Sequence, residues 1–245
     1  MIIYAVGLGP GDREFLAPGA KDAILGCEVI VGYTGYMRLI GDLTAGKILI
    51  ETGMTGEEER CEAAIREALN GKRVCVVSSG DSGIYGMAAL LFELAQGHPS
   101  IEISVVPGIT AAVSAAAILG APLANDFAAI SLSDLLTPWE TIEKRLRACA
   151  AADIVICLYN PRSKKRNDYI KKACDIVGAH LPPETKCGYV RNAFRGDDVQ
   201  YRVCTLSELS QADAEIDMFT TVIIGNSATR IINGRLVTSR GYTIE

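Results

Sequence analysis

Apolar runs of strand length alternate with longer helix-like segments along almost the whole chain. IIYAVG reads as the first strand, and a helix is expected from Pro18 to Gly26 with proline in its first turn. EVIVG and KILIE read as further strands. GEEERCEAAIREALNGK has acidic residues at its start and Asn70-Gly71 at its end, which is the arrangement a helix dipole favours. VCVVSS is a buried strand, and IYGMAALLFELAQG is an apolar helix stopped by Gly97. IEISVVPG and ITAAVSAAAILG complete a strand–turn–helix unit, whose small residues allow another backbone to approach closely.

After GAPL the rhythm starts again. FAAISLS, a helix from Pro138 through TIEKRLRACAAA, DIVICLYNP, a polar helix, KCGYV and TTVIIG follow in turn. RIINGRLVTSRGY reads as a hairpin with Asn233-Gly234 at its tip. The alternation predicts an α/β protein with mostly parallel sheets. The restart near Gly120 to Asn125 predicts two α/β domains, 1–121 and 122–245, instead of one long sheet.

Composition narrows the partners. At 245 residues and 49% apolar, the chain can bury a substantial core. A net charge of −5 argues against a nucleic-acid surface. The chain has no stretch long enough to span a bilayer, and MIIYAVGLG lacks the basic leader of a signal peptide, so a cytosolic protein without a membrane partner is expected. Eight cysteines are scattered with no C-x-x-C, several inside apolar runs, and read as free structural thiols. The two histidines, His98 and His180, lie in turn-like stretches, so no metal site is expected.

Three glycine-bearing segments fall where strands should end, VGLGPGD, SSGDSGIYG and VVPGITAA, with LYNP as a further strand end. In open α/β sheets ligands lie outside the carboxyl ends of the strands. A dinucleotide fingerprint requires G-x-G-x-x-G, and here the third glycine comes one residue early with Pro10 before it. No phosphate-binding G-x-x-x-x-G-K-[ST] occurs.

Val6 to Asp12, Gly80-Asp81 and Pro107 to Ala111 match, in this order, the V-G-x-G-P-G-D, G-D-P-like and P-G-[IV]-[ST]-[AS] turns of the tetrapyrrole methylase family, which the sequence resembles from Ile3 to Tyr242. GYTGYMRLI, TGMTGEEER, ISLSDLLTPW, LYNPRSKKR, IIGNSAT and TSRGY resemble the branch of precorrin-3B C(17)-methyltransferases and cobalt-factor III methyltransferases. The resemblance implies the two-domain tetrapyrrole methylase fold, with S-adenosylmethionine held in a cleft between the domains, usually in a homodimer. It implies methylation at carbon 17 coupled to contraction of the macrocycle. Donor contacts carried over by position are Pro10, Ser79, Gly80, Asp81, Ile84, Thr110, Ala111, Tyr159 and Asn160. Asp81 reads either as a partner for a cationic group of the donor or as a turn residue capping the next helix.

Contraction moves protons, so a general acid or base is sought among Asp126, Ser131, Ser133 and Asp134, for which helix caps and interdomain hydrogen bonds are the competing reading. The acceptor carries carboxylates. Arg38, Arg60, Arg162 and Arg240 are candidate substrate-binding cations alongside Ser133, with Lys164, Lys165, Arg166 and Arg195 as further candidates; RSKKR reads equally as a solvated helix start. Three positions depart from the family pattern: Ser82 for proline, which predicts a less rigid turn, Asn125 for histidine, and Ser239 for proline. A methylase of another precorrin carbon, a diphthine synthase, a nicotinamide-dependent oxidoreductase and a non-catalytic tetrapyrrole carrier remain as alternatives.

Overall fold

The computed structural model describes residues 1–163, 167–212 and 214–242. Contacts divide the chain into two compact units, Met1–Thr110 and Ala111–Glu245.

The first unit contains β1 (Ile2–Gly7), α1 (Pro18–Gly26), β2 (Val29–Tyr33), α2 (Thr34–Met37), β3 (Ile48–Thr52), α3 (Glu57–Leu69), β4 (Val74–Ser78), α4 (Ala88–Ala95) and β5 (Glu102–Val106). Its sheet has the order β3-β2-β4-β1-β5, and every pair is parallel. The inner strands β1, β2 and β4 are buried on both faces, which is why they read as near-continuous apolar runs. Ile3, Ala5, Val29, Val31, Val74 and Val76 pack with Cys61, Ala64 and Ile65 of α3 and Ala88 and Leu91 of α4. Val6, Ile30, Cys75 and Val77 pack with Ala20 and Ile24 of α1 on the opposite face.

That arrangement matters for function. The central neighbours β1 and β4 send their following helices to opposite faces, which makes their carboxyl ends the switch point where open α/β sheets place a ligand crevice. The helix expected over IYGMAALLFELAQG is shorter than the pattern predicts, starting at Ala88. Tyr85 has φ +53, and a Cβ on Gly86 would lie 2.5 Å from the Ser82 carbonyl, so this stretch forms a tight turn instead.

The second unit contains α5 (Ala111–Leu119), β6 (Gly120–Ala121), β7 (Phe127–Ser131), α6 (Trp139–Ala151), β8 (Val155–Tyr159), α7 (Tyr169–Val177), β9 (Lys186–Arg191), β10 (Gln200–Thr205), α8 (Leu206–Leu209), β11 (Thr220–Ile224), β12 (Thr229–Ile232) and β13 (Arg235–Thr238). Its main sheet runs β10-β9-β11-β8-β7. Only β7–β8 is parallel there; β8–β11, β11–β9 and β9–β10 are antiparallel, so this half is a mixed sheet where mostly parallel pairing was expected. The cause is β10, which the pattern reading passed over. It pairs back on β9, and its Gln200, Tyr201 and Arg202 are exposed, leaving little apolar signal.

The expected boundary at 121/122 also moves. Ala112, Ala115, Ala116 and Leu119 of α5 are buried against Val155, Cys157, Val190 and Ile223, so α5 and β6 belong to the second unit. The opposite face of that sheet packs on α6, α7 and α8. β12 and β13 form the expected hairpin, with Asn233 and Gly234 at φ +50 and +74, and β13 pairs with β6. Buried Asn226, Thr229 and Thr238 fasten it: Thr229 Oγ1 lies 2.8 Å from Thr238 Oγ1 and donates to Asn226 Oδ1 at 3.1 Å.

Candidate active site

In the first unit the three glycine turns meet at the crevice through backbone atoms. The Gly9 N–H donates to the Gly80 carbonyl at 3.0 Å, and the Gly80 N–H returns to the Gly9 carbonyl at 2.7 Å. A Cβ on Gly108 would sit 2.2 Å from the Gly80 oxygen, and one on Gly7 would sit 2.6 Å from the Gly108 nitrogen. Gly9 and Gly80 have φ +70 and +71, a region that favours glycine. The glycines are therefore needed so that the turns can touch.

Asp81 completes the junction. Its Oδ1 accepts from the Gly83 N–H at 2.8 Å and its Oδ2 from the Gly108 N–H at 2.9 Å. Each carboxylate oxygen thus joins the second turn to itself or to the third, and neither caps α4, which has no side-chain cap. Ser82 is fully buried and donates to the Ala5 carbonyl of β1 at 2.9 Å. The turn is tied to the sheet there, contrary to the looseness expected from the missing proline. Pro10 is buried, Ser79 and Thr110 are half-buried, and Ile84 and Tyr85 are 42% and 55% exposed beside the turn.

The second unit gathers another group at the carboxyl ends of the parallel pair β7 and β8. Ser131 stands opposite Tyr159 in register, and the Leu132 N–H donates to the Tyr159 carbonyl at 2.9 Å. Ser131 Oγ accepts from Asn160 Nδ2 at 2.9 Å and from the Ser133 N–H at 3.2 Å. Asn160 holds φ +51, the sharp exit of LYNP. Tyr159 turns its hydroxyl to the start of α5, where it accepts from the Ala112 N–H at 3.0 Å and supplies one of the helix's open donors with a partner. Ala111 opens that helix.

Asp134 lies beyond Ser133 on the same loop. Its Oδ2 accepts from the Tyr169 hydroxyl at 2.5 Å. It does not cap α6: the residue before that helix is Pro138, and no side chain caps it. Leu135 and Leu136 follow, 69% and 99% exposed.

Two candidates fall away from these groups. Asp126 precedes β7 at its amino end, where its carbonyl accepts from the Val155 N–H. Five residues of extended strand, roughly 16 Å, separate it from Ser131. Asn125 accepts from the Asp126 N–H at that same end, so the histidine it replaces would also lie away from Ser131 and Asp134. Arg60 is 4% exposed and spent on structure. Its Nη1 donates to Thr52 Oγ1 at 2.6 Å and to the Gly53 carbonyl at 2.9 Å, and its Nη2 pairs with Glu57 at 3.1 Å. Arg38 and Arg240 are exposed and Arg162 is half-buried; Lys164, Lys165 and Arg166 lie outside the described residues. Tyr169 went unnoticed in the sequence because it stands 35 residues from Asp134, at the start of a polar helix.

The cysteines take no part in these groups. All eight are free and seven are buried. Burial pushes the Cys61, Cys157 and Cys204 thiols up to about 12, which removes them as nucleophiles near neutrality. Among the described residues no group of His, Cys, Asp and Glu could hold a metal ion.

Residues 2–210 match the family model of the tetrapyrrole (corrin/porphyrin) methylases, and the chain belongs to that family. Within it, the chain is 43% identical over 245 residues to the probable cobalt-factor III C(17)-methyltransferase of Salmonella typhimurium, covering 99% of this chain and 100% of that one. It is 39% identical over 235 residues to a precorrin-3B C(17)-methyltransferase of a Sinorhizobium species, covering 94% and 91%. The crystal structure of the methyltransferase CobJ superposes with a TM-score of 0.91 at 37% identity, covering 97% of this chain and 99% of that one.

Proposed function

We propose that this chain methylates carbon 17 of a tetrapyrrole, precorrin-3B or cobalt-factor III, with S-adenosylmethionine as the methyl donor and with contraction of the macrocycle. The observation that carries the reading is the backbone junction of Gly9, Gly80 and Gly108 at the β1–β4 crevice, in a chain of the tetrapyrrole methylase family. The donor fits the residues present. The turn after β4 brings its backbone forward at Gly80, Ser79 and Thr110 offer hydroxyls, and the exposed Ile84 gives an apolar surface. When bound, the donor supplies an electrophilic methyl group on a sulfonium.

This chain's own work is to bind, orient and move protons. The three turns form a stiff cradle, so little ordering remains to be done on binding. Pro10, Ser79, Gly80, Ile84, Thr110, Ala111, Tyr159 and Asn160 are the proposed donor residues, and Asp81 acts by holding the turns in register. Ser131, Ser133 and Asp134 are proposed to serve the acceptor, with Asp134 the group that holds or accepts a proton during contraction. Arg38, Arg162 and Arg240 are proposed for its carboxylates. A homodimer and a cytosolic location belong to the same proposal. Among the described residues no helix is long and apolar enough to cross a membrane.

The test is turnover with each acceptor, followed by mass spectrometry for one added methyl group, on the wild type and on Asp134→Asn. The expected result is a methylated, contracted product from the wild type, and a rate lowered about tenfold to a thousandfold in the variant, with donor affinity unchanged by calorimetry. Wild-type rate and product in the variant would remove Asp134 from the chemistry. Preference for NAD over S-adenosylmethionine in calorimetry would overturn the reading as a whole.

A further inference from the structure

The loop carrying Asp134, Leu135 and Leu136 is exposed, yet its carboxylate is held from one side by a well-supported ring. Tyr169 opens α7, and its ring meets Trp139, the first residue of α6, with centroids 4.5 Å apart and tilted by 52°. The Lys172 ammonium lies 4.8 Å over the Tyr169 ring and 5.8 Å over that of Trp139, and Asp168 holds it there at 2.9 Å. Both aromatic residues pack on the buried core beneath α6 and α7. The phenol is thus fixed by two helices and a cation, while the residues it reaches stand in solvent.

We propose that Tyr169 is a positioning residue for the acceptor chemistry: it locks the Asp134 carboxylate and, through it, the Leu135–Leu136 tip that the macrocycle packs against. The inference rests on the role given to Asp134 above. An exposed aspartate samples several rotamers, and a charge-assisted hydrogen bond of 2.5 Å to a fixed ring selects one of them. Placement of a reacting group within a fraction of an ångström is where a rigid support outside the reacting atoms acts on rate. Two adjacent exposed leucines beside a fixed carboxylate give the tip an apolar surface for the face of the macrocycle.

Tyr169→Phe tests this, because it keeps the ring, the Trp139 contact and the Lys172 contact and removes only the hydroxyl. The expected result is an unchanged melting temperature, unchanged donor affinity, and a kcat for the tetrapyrrole lowered about tenfold with KM little altered. In an Asp134→Ala background the same change should cost nothing further, since the partner is already gone. Wild-type kcat in Tyr169→Phe alongside a slow Asp134→Asn would overturn the positioning role and leave Asp134 in place. Wild-type kcat in both would remove the reading of Asp134 itself. Losses that simply add in the double variant would also overturn the proposal, because Tyr169 would then act independently of Asp134.

Discussion

At the carboxyl edge of the first sheet the closest contacts run through backbone atoms, Gly9 to Gly80 and Gly80 against Gly108, with Asp81 and Ser82 adding side-chain ties from the second turn. At the carboxyl edge of β7 and β8 one backbone bond, Leu132 to Tyr159, is joined by bonds between side chains, Asn160 to Ser131 and Tyr169 to Asp134. The first edge is stiff and admits almost no variation in shape. The second keeps its chemistry on groups that can be exchanged one at a time. On the proposed function, a backbone junction suits a methyl donor common to a family, and exchangeable side chains such as Ser133 and Asp134 suit an acceptor that distinguishes its branches. The hydrophobic cores beneath the two edges do not differ in this way: both are aliphatic side chains with buried thiols between sheet and helices.

The sharpest way to break that comparison is Gly108→Ala. The new methyl group would meet the Gly80 carbonyl at 2.2 Å, a backbone atom that cannot swing aside. A loss of about 3 kcal/mol is expected, near the upper end for overpacking. That corresponds to a fall of roughly 10 °C in melting temperature, measured by circular dichroism. A change of under about 2 °C would mean that the turns yield, and the first edge would be no stiffer than the second.

Arg60→Met has a smaller expected effect and decides between two roles. The variant keeps the apolar stem and drops the guanidinium, leaving Thr52 Oγ1 and the Gly53 carbonyl without their donor. Stability should fall by about 1–2 kcal/mol with KM for the tetrapyrrole unchanged. A raised KM at an unaltered melting temperature would return Arg60 to substrate binding.

The smallest effect concerns the cores, where the two units should behave alike. Burial raises the Cys61 thiol of α3 and the Cys157 thiol of β8 to about 12, against about 8.5 in an unfolded chain. A raised thiol contributes its stability fully below the unfolded value and loses it as pH rises through the folded one. Each should therefore cost roughly 1 kcal/mol between about pH 7 and about pH 9. Cys61→Ala and Cys157→Ala should flatten the pH dependence of urea midpoints by similar amounts. Flattening by only one of them would separate the two cores after all.

The first edge was legible in the sequence because its construction is punctuation: VGLGPGD, SSGDSG and VVPGIT each end an apolar run, and parallel strands carry all such ends to one side. The second edge was legible only in part. Ser131, Asp134, Tyr159 and Asn160 follow strands whose direction could be read, but Asp126 was grouped with them although it stands at the amino end of β7. Arg60 was read as a candidate cation for the substrate, since nothing local announces that Thr52 and Gly53 fold over it. β10 was missed because an edge strand that buries one side chain leaves no periodic signal. Tyr169 could not be found at all, because its meaning lies in a partner 35 residues away.

The contact between Gly80 and Gly108 also bears on how this protein can change over generations. A position where even a methyl group collides with a neighbouring backbone has no neutral replacement, and a compensating change elsewhere cannot make room when the obstacle is main chain. Genetic drift is therefore closed off at Gly108 and less restricted at Leu135 and Leu136, whose side chains stand in solvent. A lineage acquiring a new acceptor would record the event in the tip and its Tyr169 support while carrying the glycine junction forward intact.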